Sequence, residues 1–104
     1  MKGLWFLERS ICRIRDGKWV MPKGGPVVRS ILLAKITAER ERQDAKWGIQ
    51  RHPVHVWNTI LGEEVGEVAN AILEDDIEGL KKELIQVAAV ALSFAEALED
   101  NRCG

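Results

Sequence analysis

The sequence holds little cysteine: two residues in 104, Cys12 and Cys103, near opposite ends. Thiols so placed form no zinc-type spacing and are too few for a disulfide scaffold. Long hydrophobic runs are missing. No apolar stretch approaches the ~18–20 residues that span a bilayer, and the apolar opening Met1–Leu7 is short and followed directly by Glu8. Neither a membrane span nor a secretory leader is therefore expected. A basic excess is also absent, since 15 Lys and Arg against 16 Asp and Glu leave a net charge of −1. That balance argues against nucleic-acid binding. There are no repeats and no low-complexity runs. What remains is a cytoplasmic globular protein of one domain, small enough that an oligomer would help to bury its core.

The composition shifts near residue 27. Before it, Asp16-Gly17 sits between Ile11–Arg15 and Lys18–Met21, a local hairpin signal because both turn positions favour positive φ. Pro22, Gly24, Gly25 and Pro26 then read as terminators. Residues 1–27 are thus expected to be an N-terminal extension with a possible β-hairpin, and 28–104 a helical domain. Three helices are expected, at Val28–Trp47, Val56–Asp75 and Ile77–Asp100. Gly48 suits the position just past the first helix, and Asp75-Asp76 suits the N-cap of the third. The polar loop Ile49–His55, with Pro53 inside it, separates the first two. The fold class this predicts is all-α, a three-helix bundle.

The informative feature is which face the acids occupy. At about 100° per residue, positions three and four apart share a helix face. On the second helix Trp57, Ile60, Leu61, Val68 and Ala71 make an apolar stripe, with Glu64 in its middle, Glu67 at its edge and Glu63 further round. The third helix repeats the pattern: Leu80, Val87, Val90, Phe94 and Ala97 form the stripe, Glu83 lies within it and Gln86 at its edge. Amphipathic patterning normally keeps carboxylates off such a stripe. Packed antiparallel, the two helices would gather acids whose burial costs several kcal/mol each unless they protonate or hold a cation. An all-oxygen set favours Mg²⁺ or Mn²⁺. Against this stands the ordinary reading of EExxE as solvated charge. Gln86 is either a ligand or a satisfied core amide. Lys81 and Lys82 read as surface bridges. Gly62 and Gly66, opposite Glu64, point to close helix packing. The run Leu84–Ala95 is almost wholly apolar, which predicts a dimer or tetramer enclosing the third helix.

Leu61-Gly62-Glu63-Glu64-Val65-Gly66-Glu67-Val68-Ala69, followed by Lys82-Glu83-Leu84-Ile85-Gln86-Val87-Ala88, resembles the MazG-type all-α nucleoside triphosphate pyrophosphohydrolases. The signature of that family is EExxE, a spacer, then ExxD. The stretch Glu39–Gly48 resembles the first helix of MazG-like members, and the likeness covers roughly residues 30–98. It implies Mg²⁺-dependent hydrolysis of a nucleoside triphosphate to the monophosphate and pyrophosphate, and a homodimer or homotetramer. By position Glu64, Glu67 and Glu83 would be metal ligands, with Gln86 where the pattern has Asp, and Glu63 an outer ligand or a base that orients water. An amide brings no charge, so Gln86 should weaken metal binding.

Further candidates surround the loop before the acid-bearing helix. Trp47, His52 and Trp57 offer aromatic faces for a base, although Trp57 also fits core packing and His52 a solvated loop. Lys46, Arg42 and Arg51 are candidates for phosphates or plain surface charge, and Gln43 is a candidate base-contacting amide. Gly17–Gly25 resembles the opening of a Nudix box, but the glutamate that box needs falls on Ile31 and its RExxEExG never arrives at the right spacing. Two alternatives stay open: a catalytically weak nucleotide- or metal-binding module, and a plain helical oligomerisation protein that docks a partner through its N-terminal hairpin.

Overall fold

The computed structural model describes residues 25–104 and, before them, the backbone of two short strands. The chain divides into two compact units, Met1–Leu33 and Ala34–Gly104. In the first, β1 (Arg13–Arg15) pairs antiparallel with β2 (Lys18–Val20), Ile14 opposite Trp19. The expected Asp16-Gly17 turn, Cys12 and the terminators Pro22 and Gly24 lie outside the described residues. From Pro26 onward the chain is all-helical: α1 (Pro26–Trp47), α2 (Val54–Leu73) and α3 (Ile77–Glu99).

The helix ends follow local backbone chemistry. Helix α1 opens at Pro26, two residues before the expected Val28, because the fixed φ of proline suits a first turn and that turn needs no donor. The Gly25 carbonyl accepts from Arg29 N at 3.3 Å. At the other end Gly48 takes φ 73° and donates to the Asp44 carbonyl at 2.8 Å. Helix α2 starts two residues earlier than the pattern suggests, because extended Pro53 (φ −59°, ψ 154°) turns its carbonyl onto Val56 N and Trp57 N. It also ends earlier, in a Schellman closure. Asp75 is left-handed (φ 53°) and donates to the Ile72 carbonyl, while Asp76 donates to that of Ala71. Asp76 then caps α3, its Oδ1 accepting from Gly79 N at 2.9 Å. The same closure ends α3 at left-handed Asn101, with Arg102 N on the Ala97 carbonyl at 2.7 Å.

The short turn 74–76 makes α2 and α3 an antiparallel hairpin with its inner faces in contact. Trp57, Ala71, Ala89, Val90 and Ala97 are buried between or beside them. Trp57 is the largest, at 2% exposure, and truncating such a ring to alanine costs about 3–5 kcal/mol. Helix α1 is held differently. Long side chains tie it to α3: Arg40 reaches Glu96 at 2.9 Å and Gln43 faces Gln86 at 3.4 Å.

One packing expectation is corrected. A Cβ on Gly62 or Gly66 would meet nothing within 4 Å, so neither glycine marks a close approach within the chain; both lie on the outer side of α2. Within a single chain the third helix is covered on one side. Its inner face is buried through Ala89, Val90, Ser93 and Ala97, but Leu84, Ala91, Ala95 and Leu98 stand in solvent along its outer side. Among the described residues, no helix is long and apolar enough to cross a membrane.

Candidate functional site

The acids sit on the α2–α3 hairpin as their helical phase requires. Glu64 and Glu83 are half-buried, and Glu63 and Glu67 are exposed. Burial pushes the Glu64 carboxyl above the ordinary glutamate range, and the negative charges of Glu83, Glu67, Glu63 and Glu39 push it further. None of Glu63, Glu64, Glu67 and Glu83 has a basic ion-pair partner among the described residues. Nor do any three acidic, histidine or cysteine side chains there already converge in metal-ligand geometry. The donor set is nonetheless all carboxylate oxygen, and its charge is uncompensated. That chemistry fits a hard divalent cation.

A second set of charges, missed by sequence reasoning, lies on α1 and carries its own cations. Glu39 and Arg40 are buried. Arg42 Nε donates to both oxygens of Glu39 at 2.5 and 2.8 Å, and this pairing holds the Glu39 carboxyl below the usual range despite its burial. A side-chain hydrogen bond from Gln86 lowers it further. Arg40 meets Glu96 at 2.9 Å and Asp44 at 3.1 Å, and donates to Gln43 Oε1 at 3.1 Å. The signal available was the i, i+4 row Glu39–Gln43–Trp47 beside Arg40, which puts an acid, an amide and a ring on one face.

A cleft of about 360 Å³ lies beside these side chains. Gln43, Trp47, His52, Trp57, Glu64 and Gln86 line it, so six of the sequence candidates share one cavity. Arg40, Asp44, Gln50 and Ser93 line it too and were not among them. Glu63, Glu67, Glu83 and Lys46 are not part of this lining. Lys46 instead places Nζ 4.6 Å from the centre of the Trp47 ring. Trp47 is 54% exposed and presents a free face. Trp57 does both jobs the sequence allowed: it stacks on Phe94 at 5.8 Å as core and forms part of the cleft. Its indole N–H is buried with no hydrogen-bond partner.

His52 is not the solvated loop residue expected. Its ring meets Trp57 edge-on at 5.0 Å and lies 3.2 Å from Gln50 Oε1. The chain's end holds this loop in place. Arg102 donates to the Gln50 carbonyl at 2.8 Å and accepts at its own carbonyl from His52 N at 3.2 Å, while Arg51 reaches the Asn101 carbonyl. Arg51 and Arg42 are thereby engaged within the protein, as is Lys81, which bridges to Glu78 on the surface at 3.2 Å. Comparison with protein-family models, with curated proteins and with solved structures gives no match.

Proposed function

We propose that the chain is a Mg²⁺-dependent nucleoside triphosphate pyrophosphohydrolase that releases a nucleoside monophosphate and pyrophosphate, with non-canonical nucleotides as a fitting substrate group. The observation that carries this reading is Glu64: a half-buried carboxylate whose pKa is raised by burial and by surrounding acids, with no basic ion-pair partner among the described residues. Glu64, Glu67 and Glu83 would hold the cation, and exposed Glu63 would orient a water. Mg²⁺, or Mn²⁺ in its place, supplies when bound the charge that neutralises phosphate oxygens and the acidity that activates water. The cleft beside Glu64 takes the nucleoside end, with Trp47 as a stacking face.

The outer row Leu84, Ala91, Ala95 and Leu98 on α3 supports a homodimer or homotetramer, since a further copy would withdraw it from water. Light scattering coupled to gel filtration tests this: the native chain should elute above monomer mass, and Leu84→Glu should shift it toward monomer. The cytoplasm, where a free thiol such as Cys103 persists, suits a chain of this kind.

A second reading, a nucleotide- or metal-binding module with weak turnover, is favoured by Gln86, an amide that adds no charge to the acids. Pyrophosphate release from a panel of canonical and modified nucleoside triphosphates, with Mg²⁺, Mn²⁺ or chelator, decides between them. Metal-dependent release that vanishes in Glu64→Ala supports the enzyme. Saturable Mg²⁺ binding without release from any substrate would replace it with the module.

A further inference from the structure

The amides of Gln43 and Gln86 are not free to choose their orientation. Arg40 can only donate, so the Gln43 atom facing it at 3.1 Å must be the oxygen. That turns Gln43 Nε2 toward Gln86, and a donor there selects the Gln86 oxygen, 3.4 Å away. Glu39, which as a carboxylate can only accept, favours the same orientation of Gln86. Glu96 and Asp44 fix Arg40 at one end, and Arg42 fixes Glu39 at the other.

The central contact is longer than an ordinary hydrogen bond. It leaves one N–H on Gln43 and one lone pair on Gln86 with unspent capacity, side by side on the cleft wall. Trp47 offers a half-exposed ring to the same cleft, and Trp57 contributes a buried indole N–H that lacks an acceptor. A flat ring carrying an acceptor and a donor on adjacent edge atoms satisfies the amide pair together. Phosphates would satisfy only the donors.

We propose that Gln43 and Gln86 form a pre-oriented donor–acceptor pair that reads the hydrogen-bonding edge of a nucleobase lodged against Trp47 and Trp57. This deepens the nucleotide reading of the cleft and rests on it, while assigning Gln86 to base recognition instead of the metal. Arg40 and Glu39 are then positioning residues, which act on the base only by fixing the amides.

Tryptophan fluorescence titrations with nucleosides, which carry no phosphate and need no metal, test the pair directly. Uridine should quench saturably, and its N3-methyl derivative, which has lost the edge donor, should bind about tenfold more weakly. Gln86→Leu and Gln43→Leu should bring that ratio close to one. Circular dichroism should show both variants folded, and the methyl comparison on the native chain needs no variant. A native chain that binds parent and methylated nucleosides equally, or none of the common nucleosides, overturns the proposal. Triphosphate hydrolysis with no edge discrimination removes base reading and leaves the hydrolase. Discrimination without hydrolysis removes the hydrolase and leaves the base subsite.

Discussion

Glu39 on α1 and Glu64 on α2 are carboxylates drawn partly out of water within the same unit, yet burial has opposite consequences for them. Arg42 and Gln86 meet Glu39, and its carboxyl is held low; burial and then the charges of neighbouring acids act on Glu64, and its carboxyl is driven high. The arginines of this unit serve the α1 side and the chain's end, at Glu39, Asp44, Glu96, Asp100 and two loop carbonyls. Glu63, Glu64, Glu67 and Glu83 on the α2–α3 hairpin receive none of them. Where a fold spends its cations on one group of acids and withholds them from a neighbouring group, the withheld group is the one with room for an external charge.

The largest expected effect breaks the uncompensated side. Glu64→Gln keeps the shape and removes the charge, so pyrophosphate release should fall by at least ~100-fold, the loss that even supporting groups of a metal site produce. Next, Arg40→Met breaks the compensated side. It strands Glu96 and Asp44 and frees the Gln43 amide, and should cost about 2 kcal/mol in urea unfolding, in line with hydrogen bonds to charged groups.

The comparison sharpens with pH. Glu39, with a depressed pKa, contributes stability above the ordinary glutamate range that is lost as pH falls through its lowered value. Glu64, with a raised pKa, contributes no cost at low pH and destabilises as pH rises through its elevated value. Thermal melts of the metal-free protein should therefore decline on both sides of a mildly acidic maximum, and in Glu64→Gln the decline on the alkaline side should flatten. The smallest effect lies outside both acid groups. Asp76→Ala removes the α3 cap and should cost about 1 kcal/mol, with no change in the metal response.

Much of the fold was legible because its determinants are local. Apolar stripes placed α2 and α3, and Gly48 and Asp76 marked ends by their own backbone chemistry. The two-residue errors at Val54 and Leu73 arose where a proline carbonyl and a left-handed aspartate, not side-chain periodicity, set the boundary. Glu64 was legible because an acid inside an apolar stripe is anomalous on its own helix. Glu39 and Arg40 were not, because α1 is polar for most of the stretch 38–46, and only the distant Glu96 and Gln86 decide which of those residues are buried. The packing of His52 was misjudged for the same reason: its environment depends on Trp57 and on Arg102, fifty residues away.

The central claim is that the acids of the hairpin await a cation. Thermal unfolding near pH 8 with increasing Mg²⁺, on the native chain and on Glu64→Gln, tests it most directly. The account predicts a saturable rise in the native Tm, and a variant that melts higher without metal and gains little from it. A native Tm indifferent to Mg²⁺, or an equal rise in both proteins, would contradict it.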